Sequence, residues 1–97
     1  MASQAEAALK RIQTHKGVKG TMVVNSEGIP LRTDMDNSNT LQYATLCRTL
    51  SSMASSMVRD IDPENELIIL RVKSRKNELI IAPYEDYLLV VIQDSNE

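Results

Sequence analysis

Between Leu67 and Gln93 three apolar runs, Leu67–Ser74, Glu78–Ala82 and Tyr87–Gln93, are separated only by Arg75-Lys76-Asn77 and by Pro83-Tyr84-Glu85-Asp86. Links this short join antiparallel neighbours, because a parallel crossover needs about a dozen residues or more. The segment therefore reads as an antiparallel meander. Its last run, Tyr87-Leu88-Leu89-Val90-Val91-Ile92, is apolar on both faces, so it belongs at the centre of a sheet covered on each side. In the first run Ile68, Leu70 and Val72 share one face. Leu67, Ile69, Arg71 and Lys73 share the other, which is apolar at one end and basic at the other.

Upstream, Leu41, Tyr43, Leu46, Cys47, Leu50, Met53, Ala54, Met57, Val58 and Ile61 recur at three- and four-residue spacing, the period of a long helix. Asn37, Ser38 and Asn39 are alternative caps at its start, and Asp62-Pro63 ends it, since proline disfavours helical geometry at the residue before it. Thr45, Arg48, Thr49, Ser51, Ser52, Ser55, Ser56 and Arg59 fill most of the remaining surface, a face of small polar residues that a second helix could approach closely. Before this helix, Val18–Asn25 and Ile29–Arg32 form a hairpin about Asn25-Ser26-Glu27-Gly28. Pro30 cannot donate to a ladder and sets the second strand at a sheet edge. Ser3-Gln4-Ala5-Glu6 fits a capping box, with Ala5, Ala8, Leu9 and Ile12 as the stripe of a short first helix and Gly17 as its stop.

The order helix, two strands, long helix, three strands yields an α/β fold. Its mostly antiparallel five-stranded sheet carries the long helix on one face and the shorter N-terminal helix on the other. At 97 residues the chain is one domain, 1–97, with 94–97 as a polar tail. The core must be aliphatic, since there are three Tyr and neither Phe nor Trp, and five Met complete it. A domain of this size buries only about 60–65% of its unfolded surface, so a second copy would add a meaningful share of stability.

A net charge of −2 and so few aromatics argue against nucleic-acid binding by a basic field or by base stacking. No apolar run approaches the ~20 residues of a membrane helix. One cysteine, Cys47, and one histidine, His15, supply neither a disulfide nor the ligands of a zinc site, and the expectation is a cytoplasmic setting without cofactor or metal. Gly17, Gly20 and Gly28 match no phosphate-binding loop. Cys47 lies within the helical stripe, where a buried, inert thiol is the ordinary outcome, and His15 beside Lys16 suits the end of a helix. Asp60, Asp62, Glu64 and Glu66 alternate but lack the glycine and spacing of a calcium loop. Arg71, Lys73, Arg75 and Lys76 cluster at one hairpin, either guarding an edge strand or offering a docking patch to an acidic segment. No catalytic constellation emerges, and the chain is expected not to be an enzyme.

Several segments, Leu9-Lys10-Arg11-Ile12-Gln13, Lys16-Gly17-Val18, Val23-Val24-Asn25-Ser26-Glu27-Gly28-Ile29-Pro30, Val58-Arg59-Asp60-Ile61-Asp62-Pro63 and Arg75-Lys76-Asn77-Glu78, together resemble the roadblock family of dynein light chains. That resemblance implies a roadblock/profilin-like sandwich acting as a non-catalytic, homodimeric subunit that binds the dynein intermediate chain and supports cargo attachment in microtubule-based transport. The implied setting is cytoplasmic and cytoskeletal, or a cilium or flagellum. By the same likeness the dimer forms through the edge strand Leu67–Ser74, with Leu67, Ile69, Leu70, Arg71 and Lys73 as interface residues. The long helix would contribute Thr49, Ser52, Ser55 and Ser56. Related sandwich domains serve as scaffolds or regulators of small GTPases, which is the alternative function, with GTPases or cargo adaptors as further partners.

Overall fold

A computed structural model of the protein describes residues 7, 10, 11 and 13–95. Strands β1 (Val18–Val24) and β2 (Pro30–Thr33) precede helix α1 (Asn37–Ile61), and β3 (Leu70–Lys73), β4 (Asn77–Tyr84) and β5 (Tyr87–Asp94) follow it. All pairings are antiparallel, and the sheet order is β2-β1-β5-β4-β3. The apolar β5 is thus central, as its two hydrophobic faces require, and Pro30 sits on an edge strand.

Local chemistry sets the connections. The Asn25 side chain accepts from the N–H groups of Glu27 at 2.9 Å and Ile29 at 3.0 Å, and Gly28 takes a φ of 83° that few other residues tolerate. Tyr84 pairs with Tyr87 across the two-residue turn Glu85-Asp86, whose first residue has a φ of 55°. The cap of α1 is Asp36, one residue ahead of the three candidates read from sequence; its Oδ1 accepts from Asn39 N at 2.8 Å. A carboxylate also suits the positive end of the helix dipole. At the other end Asp62 N donates to Val58 O at 3.0 Å before Pro63 turns the chain away.

Directly opposed residues share a sheet face. Met22, Val24, Leu88, Val90 and Ile81 therefore face α1 and meet Ala44 and Cys47 in the core. The helix buries only Thr40, Ala44, Cys47 and Ser51, a stripe of small residues that brings its backbone close to the sheet. This reverses the sequence reading, in which the larger residues of the periodic stripe packed inward. On the opposite sheet face Val23 packs with Tyr84, Tyr87 and Leu89. There Gln13 Nε2 donates to Thr21 Oγ1 at 2.8 Å, and Asp34 accepts from Thr21 N at 2.9 Å. Ala7, Lys10, Arg11 and Gln13 are helical and exposed, whereas the capping box Ser3–Glu6 and the stripe Ala5, Ala8, Leu9 and Ile12 lie outside the described residues.

Several boundaries differ from the sequence reading: β4 takes in Asn77, Pro83 and Tyr84 beyond the expected Glu78–Ala82, and β2 runs one residue later than Ile29–Arg32. The strand expected over Leu67–Ser74 is regular only from Leu70, because Leu70 opposes Ile81, and Ile68 would fall opposite Pro83, which has no N–H to donate. Of the expected polar tail, Asp94 and Ser95 are held: Asp94 N donates to Gly17 O at 2.9 Å and Ser95 Oγ to Ser74 O at 2.7 Å. Asn96 and Glu97 lie outside the described residues.

Candidate interaction surface

Because small residues take the sheet-facing side of α1, its large apolar residues are left outside. Leu46, Leu50, Met53, Met57 and Ile61, spaced by three or four, form one ridge, and Met53 is 64% and Ile61 78% exposed. On the chain leading into the edge strand Ile68 and Ile69 are exposed as well, as is Val72 within it. Ile68 and Val72 share the helix side of the sheet with Leu70, whereas Ile69 points to the opposite face. Between ridge and strand lies an apolar hollow of about 170 Å³, lined by Tyr43, Leu46, Cys47, Leu50, Val72 and Leu79. It links the exposed side of the helix to β3, whose outer edge has no neighbouring strand among the described residues.

The residues assigned to self-association by resemblance fall in and around this surface. Leu70 is half-buried against the core, Leu67 is half-buried, and Ile69 is 49% exposed. Thr49, Ser52 and Ser56 are exposed, while Ser55 is half-buried. Ser52 and Ser56 flank Met53 and Met57 along a shallow groove that ends at Asp60 and Ile61. Ser52, Ser55 and Ser56 also border a polar cleft of about 330 Å³ with Arg48, where the β1–β2 and β4–β5 turns approach the helix. Arg71 is turned inward along the sheet: its Nε donates to Glu78 Oε2 at 2.9 Å and its Nη2 to Oε1 at 3.1 Å. Gln93 Nε2 donates to the same carboxylate at 3.1 Å. The Arg71 hydrogen bonds, then that from Gln93, hold the Glu78 carboxyl below its usual range. Lys73 remains exposed near Glu78.

The sequence does not single out the ridge, because its members define the helical period and satisfy it as well as core residues would. The signal that could have separated them is the second stripe, Thr40, Ala44, Cys47 and Ser51, at spacings of four, three and four.

Candidate chemical groups stay apart. His15 is exposed before β1, whereas Cys47 is 2% exposed, and burial pushes its thiol up to about 11. Among the described residues, no histidine or carboxylate lines the hollow beside it. Among the described residues no group of three or more His, Cys, Asp and Glu could hold a metal ion, and no helix is long and apolar enough to cross a membrane.

Among the described residues, a five-stranded antiparallel sheet carries one long helix whose apolar ridge is exposed beside an edge strand. Residues 4–94 match the Roadblock/LC7 domain, and the chain belongs to that family. Its fold is similar to a Roadblock/LC7 domain from Streptomyces avermitilis, at 14% identity and a TM-score of 0.82 over 93% of this chain and 75% of that one. It is also similar to an MglB in a tetrameric arrangement, at 15% identity and a TM-score of 0.78 over 95% and 71% of the two chains. The gliding protein MglB from Thermus thermophilus matches at 15% identity and a TM-score of 0.78, over 95% and 72%.

Proposed function

We propose that this chain is a non-catalytic adaptor that works as a homodimer. Its free β3 edges would pair and its α1 ridges would pack against one another. The observation that carries the reading is the exposure of Leu46, Leu50, Met53, Met57 and Ile61 beside an unpaired sheet edge. A stable dimer buries roughly 800 Å² per partner, and the ridge together with Ile68 and Val72 would supply an apolar centre for such an interface. Thr49, Ser52 and Ser56 lie on the outward side of the helix and would let the two backbones approach, while Ser55 lies toward the turn-side cleft. Leu70, Arg71 and Lys73 lie on β3, and Leu67 and Ile69 lie on the chain that leads into it.

Two partner classes have separate support. The similar structures are bacterial roadblock and gliding proteins, which favours a scaffold or regulator of a small GTPase over a dynein light chain. The segments Asn25–Pro30 and Val58–Pro63 favour the second reading, a dynein light chain that captures a stretch of intermediate chain ordering on contact. Affinity purification of the native protein, followed by identification of the co-purifying chains and assay of any GTPase among them for altered hydrolysis, separates the two. A GTPase whose hydrolysis changes supports the first reading, and dynein intermediate chain with no GTPase supports the second. Recovery of neither refutes both partner assignments.

A further inference from the structure

One end of the sheet gathers basic side chains that the fold does not use. Asp94 N donates to Gly17 O at 2.9 Å and Ser95 N donates to Lys76 O at 3.2 Å, so the end of β5 is tied to the start of β1 and to the β3–β4 turn. Those two neighbours stand about 10 Å apart, or two strand spacings. Lys16 therefore lies on one side of β5, and Arg75 and Lys76 lie on the other. All three are exposed, and among the described residues their side chains take part in no ion pair. Lys19 Nζ donates to Asn77 Oδ1 at 2.8 Å and lies 3.6 Å from Asp94 Oδ1, which sets a fourth cation at the same end. Helix α1 begins here too, since Asp36 and Asn39 line one hollow with Lys19 and Asn77. The start of a helix favours anions and disfavours cations, so helix stability does not account for these basic residues.

That hollow, of about 300 Å³, is lined by the apolar Met35, Tyr43 and Ile92 as well as by the polar Lys19, Asn39 and Asn77. A Cβ on Gly20 would run into the Met35 side chain, so the glycine is what lets Met35 lie against β1. Asp36, the carboxylate that lines the hollow among the described residues, is engaged as the helix cap, accepting from Asn39 N at 2.8 Å and Asn39 Nδ2 at 3.2 Å. A ligand that met only the basic side chains, such as a phosphate, would leave Met35, Tyr43 and Ile92 unused. A peptide with carboxylates around one apolar side chain would use both, and side-chain amides suit its backbone.

We propose that this end of the sheet docks an acidic segment of a partner protein, with one apolar side chain in the hollow and carboxylates against Lys16, Lys19, Arg75 and Lys76. The proposal does not rest on the dimer, whose exposed ridge starts at Leu46, about one turn beyond Tyr43. The charges supply steering and specificity, and the apolar side chain supplies an anchor.

The test is fluorescence anisotropy of a dye-labelled peptide of glutamates around a central leucine, titrated with the intact protein at low and high salt. Wild type should bind the peptide, and more weakly as salt rises, because exposed charges are screened. Arg75→Glu with Lys76→Glu should weaken binding at least tenfold at low salt. Arg59→Glu, in the last turn of α1, should leave it within twofold of wild type. Replacing the leucine of the peptide by serine should weaken binding at least threefold without any change to the protein. Wild type that ignores the peptide overturns the proposal, and binding that Arg75→Glu with Lys76→Glu leaves unchanged overturns its placement. Binding indifferent to the leucine, or matched by inorganic phosphate or by phosphatidylserine vesicles, overturns the assignment to a peptide. Sedimentation of the same variants reports the dimer separately.

Discussion

Truncating Met53 to alanine tests the ridge most sharply, because the side chain contributes little to the single chain and much to the proposed dimer. Met53 is 64% exposed, so most of its surface is available to a partner. Fully burying a side chain of this type is worth about 1.5–3 kcal/mol, and the exposed share gives about 1–2 kcal/mol per copy. Two-fold symmetry counts the loss twice, for about 2–4 kcal/mol per dimer. At 1.4 kcal/mol per tenfold change, the dissociation constant should rise by a factor of roughly 30 to 700. Sedimentation equilibrium measures it, and thermal melting under conditions where both proteins are monomeric provides the control. There Met53→Ala should stay within about 0.5 kcal/mol of wild type, as surface substitutions usually do. A dissociation constant changed less than threefold would show that the ridge is not the seam. A large loss of monomer stability would show instead that Met53 supports the fold of the single chain.

Ala44 is fully buried where α1 meets the sheet, so Ala44→Leu should overpack that contact and cost about 1–3 kcal/mol, lowering the melting temperature by roughly 4–8 °C per kcal/mol. A melting temperature unchanged by calorimetry would contradict the close approach of helix and sheet. The Glu78 carboxyl is held below its ordinary value near 4.5 by Arg71 and Gln93, so the folded state binds its proton less readily than the unfolded chain. Wild type should therefore melt above Glu78→Gln at neutral pH, and the gap should close as the pH falls below that ordinary value and through the lowered one. A gap independent of pH would exclude the ionised pair as its source. Cys47, with its thiol raised to about 11 by burial, should resist alkylation at pH 8 until denaturant opens the core. Rapid labelling of the native protein, followed by mass spectrometry, would disprove that placement.

The sheet was largely legible because its signals are local. The short links fixed the meander, the two-sided apolarity of Tyr87–Ile92 placed it centrally, and Pro30 marked an edge. The end of α1 was legible for the same reason, since Asp62-Pro63 permits little else. What sequence periodicity could not assign was direction. Leu46, Leu50, Met53 and Met57 satisfy the helical period as well as any core stripe, yet Thr40, Ala44, Cys47 and Ser51 take the inward side. A helix can lie close to a flat sheet only where its side chains are small, and hydrophobicity alone does not express that preference. The extent of β3 was hidden for a different reason. Leu67, Ile68 and Ile69 have strand-forming side chains, but pairing depends on the neighbour, and the β4 positions they would meet include Pro83.

Sedimentation equilibrium of the wild-type protein at micromolar concentration tests the central claim most directly. A mass twice the 10.9 kDa of the chain, falling toward the single-chain value on dilution, is the result expected of a ridge and an edge covered by a second copy. A mass of 10.9 kDa throughout would contradict it and leave the apolar ridge to a different partner.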